Sequence, residues 1–169
     1  MTLEEAIKTA LEYEYKIRDI YLEGVRAIDD AAGKRIFQEL ADDEQRHVDY
    51  LEYKLDEWQQ TGKITPQKLE STIPSRSIIR KEAAKIRSQM KRDDRGVKQQ
   101  MLSKALKMEI ETSNFYRQLV DQLAEEGRQM FNRFLEIEDN HIEAVQFELD
   151  YISHSGYWFG FEEFDMEAG

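Results

Sequence analysis

Apolar side chains recur along the chain at three- and four-residue spacing, the pattern of helices that bury one face. Ile7, Leu11, Ile17, Tyr21, Val25 and Ile28 form a first stripe, opened by Thr2 and Glu5 at capping-box spacing. Gly33 interrupts it; Phe37, Leu40, Val48, Leu51, Leu55 and Trp58 form a second stripe, which Gly62 ends. Residues 63–95 contain both prolines, Pro66 and Pro74, and a weaker helical segment around Ile78 to Met90. After Gly96 a third stripe runs through Leu102, Ala105, Thr112, Tyr116, Leu119 and Leu123. Gly127 interrupts as Gly33 did, and Phe131, Phe134, Val145, Leu149 and Ile152 make the fourth. The pattern predicts an all-α chain. Two helical hairpins with tight turns are joined by one long crossover, residues 62–96.

The two hairpins look like copies of one another. Ala10, Leu11, Glu14 and Tyr21 match Ala105, Leu106, Glu109 and Tyr116 at an offset of 95. After a one-residue slip, Gly33, Phe37, Glu44, His47 and Leu55 match Gly127, Phe131, Glu138, His141 and Leu149 at an offset of 94. Helical faces resemble one another by periodicity alone, but repetition of both histidines and both glycines in register points to duplication. Paired hairpins with a single long connection predict a ferritin-like four-helix bundle over residues 1–155, followed by an aromatic and acidic tail, 156–169.

Composition narrows the function classes. A chain of 169 residues buries about 70% of its unfolded surface, enough for one domain with a sizeable core. Its net charge of −11 makes nucleic acid an unsuitable partner. The absence of cysteine removes disulfides, thiolate metal sites, iron–sulfur clusters and thiol catalysis. No apolar run approaches the ~20 residues of a membrane span, and Glu4 and Glu5 stand where a signal peptide carries basic residues. The expectation is a cytoplasmic protein. Residues 63–95 hold ten basic and four acidic side chains. This basic crossover is read either as lying against an acidic bundle or as a docking patch for an acidic partner such as an electron carrier.

The chemistry lies in what interrupts the stripes. Glu14 falls between Leu11 and Ile17, and Glu44 and His47 between Leu40 and Leu51. Glu109 falls between Ala105 and Thr112, and Glu138 and His141 between Phe134 and Val145. All lie near mid-helix on inward seams, so in a bundle they share one layer. Four buried carboxylates lose hydration and repel one another. Protonation relieves part of this; two divalent cations relieve nearly all of it, because four carboxylates and two neutral imidazoles balance a +4 pair. The Glu-x-x-His spacing places each pair one turn apart on a single helical face. A glutamate from each of two helices plus Glu-x-x-His from each of the other two is the ligand set of di-iron and di-manganese carboxylate proteins. The competing reading is an inert buried polar layer.

The segments ALKMEIETSNFY and FNRFLEIEDNHIEAV, echoed by ALEYEYKIRDIY and FQELADDEQRHVDYL, resemble the rubrerythrin branch of the ferritin-like superfamily. The resemblance covers roughly residues 3–61 and 98–153. It implies Glu14 and Glu109 as terminal ligands, Glu44 and Glu138 as bridging ligands, and His47 and His141 as ligands to one metal each. It also places Tyr21 and Tyr116 beside the site as hydrogen-bond donors to ligand carboxylates; ordinary core packing is the other reading of each tyrosine. Two departures stand out. Full-length rubrerythrins append a four-cysteine rubredoxin domain, absent here, so the expectation is an external electron donor such as a rubredoxin-like protein. Many also carry an extra glutamate ligand on the third helix. Here Thr112 follows Glu109 by three residues, and Glu111 points about 200° away from Glu109 in a regular helix. Glu111 is expected to face solvent unless a π-bulge turns it inward.

Asp43, next to Glu44, can accept a hydrogen bond from the histidine of the opposite helix. Facing solvent is the preferred reading, and the matching position is Ile137, so any such pairing is not symmetric. His154 lies off the seam and is read as a surface residue. Tyr157, Trp158, Phe159, Phe161 and Phe164 are expected to pack across the bundle or, in preference, into a second subunit of a homodimer or larger homo-oligomer. With oxygen and nitrogen ligands, two iron ions or an iron–manganese pair fit best. The leading functional expectation is a di-iron oxidoreductase that reduces hydrogen peroxide, with O₂ as the other oxidant considered. The alternatives are a ferroxidase or iron-storage component, and a metal-free helical interaction module.

Overall fold

Helix ends fall where side chains or glycines satisfy the open backbone groups. The computed structural model describes residues 1–86 and 96–161. It contains α1 (Leu3–Ala27), α2 (Ala31–Thr61), α3 (Arg76–Ile86), α4 (Val97–Gln122) and α5 (Glu125–Ser155), with no strand among the described residues. The chain is an all-α bundle. Thr2 and Glu5 form the expected capping box at α1, each side chain bonding the other's backbone N–H. Asp30 caps α2 by accepting from Gly33 N at 2.9 Å. Gly62 and Gly156 close α2 and α5 in the left-handed conformation, with φ of 71° and 79°.

The hairpin turns differ from the sequence expectation. Gly33 and Gly127 do not break the helices; each sits in the first turn of the helix that follows. Close packing explains both. A Cβ on Gly33 would lie 2.7 Å from Ile28 Cγ2 and from the Trp158 ring, and one on Gly127 would lie 3.0 Å from Leu3 Cδ1.

α1 packs along α2 and α4 along α5, α1 also meets α4, and α3 lies on α5. The apolar interior forms two clusters. One holds Ile17, Tyr21, Phe37, Leu40, Leu102, Ala105, Val145 and Leu149. The other holds Ile7, Leu11, Val48, Leu51, Tyr116, Leu119, Phe131 and Phe134. Each long helix passes from one cluster to the other, and its seam carboxylate or Glu-x-x-His pair lies in between. The polar residues thus form a layer dividing the core. α2 ends at the second cluster and α4 starts at the first, so the crossover must travel the length of the bundle. It contributes Leu69 to one cluster and Ile73, Ile78, Ile79 and Ala83 to the other.

Polar ties hold the crossover down. Lys54 Nζ donates to Thr65 O at 2.6 Å, Arg133 Nε to Leu69 O at 2.8 Å, and Arg76 N to Asn140 Oδ1 at 2.9 Å. Arg80 pairs with Glu143 at 2.7 Å and Arg76 with Asp139 at 3.5 Å. In α3, then, crossover bases lie against bundle acids; the remainder of the predicted helical segment, to Met90, lies outside the described residues.

The start of the tail folds onto its own bundle. Trp158 meets the Phe37 ring edge-on at 6.0 Å, Phe159 packs on Phe147 and Tyr151, and Phe161 is buried. Buried Glu148 accepts from Phe159 N at 3.0 Å and Gly160 N at 2.8 Å. Residues 158–161 thus pack across their own bundle, the first of the two expected arrangements, while Tyr157 stays exposed. Phe164 lies outside the described residues. Among the described residues, no helix is long and apolar enough to cross a membrane.

Candidate metal centre

All six expected ligands meet in the polar layer, and each is 0% exposed: Glu14 from α1, Glu44 and His47 from α2, Glu109 from α4, and Glu138 and His141 from α5. Their donor atoms fall into two groups of four. Glu14, Glu44, His47 and Glu138 form one; Glu44, Glu109, Glu138 and His141 form the other, with the atoms of each group within 4.8 Å of one another. Glu44 and Glu138 belong to both groups.

The imidazoles stack face to face, with centroids 5.5 Å apart and planes 15° off parallel. Both turn Nδ1 toward the carboxylates. His47 Nδ1 lies 3.1 Å from Glu44, 3.3 Å from Glu14 and 3.4 Å from Glu138. His141 Nδ1 lies 2.8 Å from Glu44 and 3.2 Å from Glu109. A ring nitrogen satisfies one partner at a time with a proton, so each imidazole faces more acceptors than it can serve. Glu44 Oε2, Glu109 Oε2 and both Glu138 oxygens are buried without a hydrogen-bond partner. Such orphaned oxygens are costly in a folded core, and cations between them would satisfy them. The donor set is all oxygen and imidazole nitrogen, so the residues fit iron or manganese.

The tyrosines cross the site. Tyr21 on α1 donates to Glu109 on α4, and Tyr116 on α4 donates to Glu14 on α1 at 2.5 Å. Both rings are fully buried. Each hydroxyl thus bonds a glutamate that belongs to one group only and leaves the shared pair, Glu44 and Glu138, untouched.

Electrostatics in the metal-free protein split the carboxylates. Burial, then repulsion from neighbouring glutamates, raises Glu44 and Glu138 well above the usual range. Burial pushes Glu14 the same way, but the His47 charge, the neighbouring Glu44 and the Tyr116 hydroxyl hold it down at about 2. Burial pushes Glu109 up too, but the neighbouring Glu138, the His141 charge and the Tyr21 hydroxyl keep it below its ordinary value. Burial works against charge on the imidazoles, yet the carboxylates around them raise both. Protons therefore do the neutralising in the absence of cations, and metal uptake would release them.

Asp43 corrects the sequence reading. It is fully buried, and its Oδ2 lies 2.7 Å from His141 Nε2, on the far side of the ring from the glutamates. The available signal was its position four residues before His47, on the same helical face. Glu111 is exposed, α4 is α-helical throughout, and Thr112 turns its hydroxyl to Met108 O at 2.8 Å. No extra carboxylate therefore enters the layer from that turn. His154 is exposed, as expected.

No protein-family model matches the chain, and no curated sequence or solved structure matches it either. The fold and the site stand on this chain's own residues and geometry.

Proposed function

We propose that this chain is a di-iron, or mixed iron–manganese, oxidoreductase that reduces hydrogen peroxide. In this reading the bundle is ferritin-like, built from duplicated hairpins, and akin to the rubrerythrin branch. One observation carries the proposal: the two four-residue donor groups share Glu44 and Glu138, and each group has its own glutamate and its own inward-facing imidazole Nδ1. Such a set would hold two cations, with Glu44 and Glu138 shared between them, Glu14 and Glu109 serving one each, and His47 and His141 one each.

When bound, the metal pair supplies two one-electron steps, the number needed to take one peroxide to two waters. The chain's residues hold and orient. Tyr21 and Tyr116 fix the terminal carboxylates by donating a hydrogen bond to each. Phe134 stands edge-on to His47 at 5.5 Å, and Phe131 and Tyr116 close behind it, keeping that side dry. The 169 residues contain no cysteine, so in this reading the reducing electrons do not come from a cysteine-ligated centre within them.

The test has two stages. Metal content per chain is measured by elemental mass spectrometry after expression in iron-supplemented medium and gel filtration. The ferrous-loaded protein is then mixed with peroxide in a stopped-flow instrument. About two metals per chain, and oxidation faster than that of free ferrous ion in the same buffer, is the expected result. No metal uptake on anaerobic titration, or no acceleration by peroxide, overturns the proposal.

A further inference from the structure

Beyond the six ligands, one buried carboxylate touches both imidazoles. Asp43 Oδ2 lies 2.7 Å from His141 Nε2 and 3.5 Å from His47 Nε2. The same oxygen accepts from Ser71 Oγ at 2.7 Å, while Oδ1 accepts from Arg46 at 2.6 Å and from Thr72 N at 3.3 Å. Arg46 also donates to Thr72 Oγ1 at 2.8 Å. Asp43 is thus clamped between the crossover on one side and the stacked imidazoles on the other. The matching position of the second hairpin is Ile137, which is buried in the apolar core and offers no carboxylate.

We infer that Asp43 is the positioning residue for His141, an outer carboxylate that also approaches His47 without bonding it. The inference rests on the metal-centre reading above. A carboxylate clamped by three donors accepts a hydrogen from Nε2; that fixes the tautomer and leaves the Nδ1 lone pair aimed at the glutamates. Its two contacts are unequal. His141 is held at hydrogen-bond distance, whereas His47 Nε2 has no hydrogen-bond partner. The ligand set is nearly symmetric, but its support is not. The cation bound through His141 should therefore bind first and more tightly.

The test uses the full chain and Co²⁺ as the probe, with visible absorption reporting each binding step. Asp43→Asn and Asp43→Ala are compared with wild type. Asp139→Asn serves as a control, because Asp139 also adjoins a ligand in sequence but bonds Ser113 at 2.7 Å instead of a histidine. Removing an outer carboxylate of this kind weakens metal binding by about 10–100-fold. The expected result is two resolved steps in wild type, a loss of that size in both Asp43 variants, greater for the first step, and little change in Asp139→Asn. A merely structural role would leave the His141 Nε2–H signal alone. Zn²⁺ at Nδ1 leaves the proton on Nε2 of both rings, so in ¹H–¹⁵N spectra of the Zn²⁺-loaded protein the His141 Nε2–H should be shifted downfield and protected from exchange in wild type, and should lose both features in Asp43→Ala, with His47 changing less.

If wild type takes up two Co²⁺ and the Asp43 variants match it in affinity and spectrum, the inference falls while the metal centre stands. Equal losses in Asp43→Asn and Asp139→Asn would reduce the effect to net charge and also overturn it. If wild type takes up no Co²⁺, the metal-centre reading itself fails. Should Asp43→Ala not fold, Asp43→Asn, nearly the same in shape, carries the comparison.

Discussion

Replacing Glu138 with leucine should make the metal-free protein more stable and the metal-loaded protein less so. Glu138 is 0% exposed, and both its oxygens lack a hydrogen-bond partner. Burial and three neighbouring glutamates, Glu109, Glu44 and Glu14, force it toward the protonated state. A buried polar group without partners costs about 1–3 kcal/mol, and exchanging buried ionisable groups for apolar ones of similar size typically gives about 1–4 kcal/mol. Taking about 2 kcal/mol, the melting temperature with chelator present should rise by about 4–8 °C for a chain of this size. The order reverses with metal. A cation at a thousand times its dissociation constant stabilises by about 4 kcal/mol per site, and in the proposed two-cation centre both sites draw on Glu138. The variant, losing a bridging ligand, should gain from one cation at most. The assay is thermal unfolding by circular dichroism of both proteins, in chelator and in excess Co²⁺ or Mn²⁺. A variant less stable than wild type in chelator would refute the view that the layer is strained without cations. A variant that keeps the full metal-dependent gain would refute the bridging role.

Glu148 gives a pH prediction separate from the metal ligands. Burial raises it from an ordinary 4.5 to about 7. Its penalty is absent below pH 4.5, grows as pH rises, and is complete above pH 7, worth about 3 kcal/mol. Urea unfolding in chelator should show Glu148→Gln gaining that much on wild type between pH 4.5 and 8; a constant difference would contradict the assignment. Tyr21→Phe and Tyr116→Phe each remove a charge-assisted hydrogen bond to a terminal glutamate. Each should lower stability by about 1.5–3 kcal/mol in chemical denaturation, by similar amounts, and no loss in either would mean that the tyrosine merely packs. Gly33→Ala would drive a methyl to within 2.7 Å of Ile28 and Trp158. It should cost about 1–3 kcal/mol by over-packing and shift tryptophan emission to the red as Trp158 is displaced; unchanged emission would argue against the tail's seat on the bundle.

Much of this was legible in the sequence, because helical periodicity turns spacing into facing. The seam positions Glu14, Glu44, Glu109 and Glu138 could be placed in one layer from apolar neighbours alone, and the same spacing put Glu111 outside. What periodicity does not carry is contact between distant segments. Asp43 was misread because its partners, Ser71, Thr72 and His141, come from the crossover and another helix. Gly33 was taken for a breaker because its actual constraint is the Trp158 ring, far along the chain. Composition left the tail's partner open between its own bundle and a second subunit; its anchor on the bundle, the Glu148 carboxylate, sits on the buried face of α5 with nothing local to mark it as a partner for backbone N–H groups.

Placing the charged layer between two apolar clusters has a physical consequence. Each cluster draws side chains from all four long helices and from the crossover, so each end of the bundle is held together without help from the layer. The middle is therefore free to be unfavourable. Four buried carboxylates would wreck a core that depended on them, but here they lie between two regions that fix helix register on either side. That register brings Glu14 to Tyr116 and Glu109 to Tyr21 across the bundle. Preorganisation of this kind is what a binding site needs: the cost of gathering like charges is met by the fold, and the cation pair of the proposed centre would recover it as affinity. It follows that substitutions in the two clusters should weaken metal binding through lost register, whereas substitutions in the layer should weaken binding and strengthen the fold.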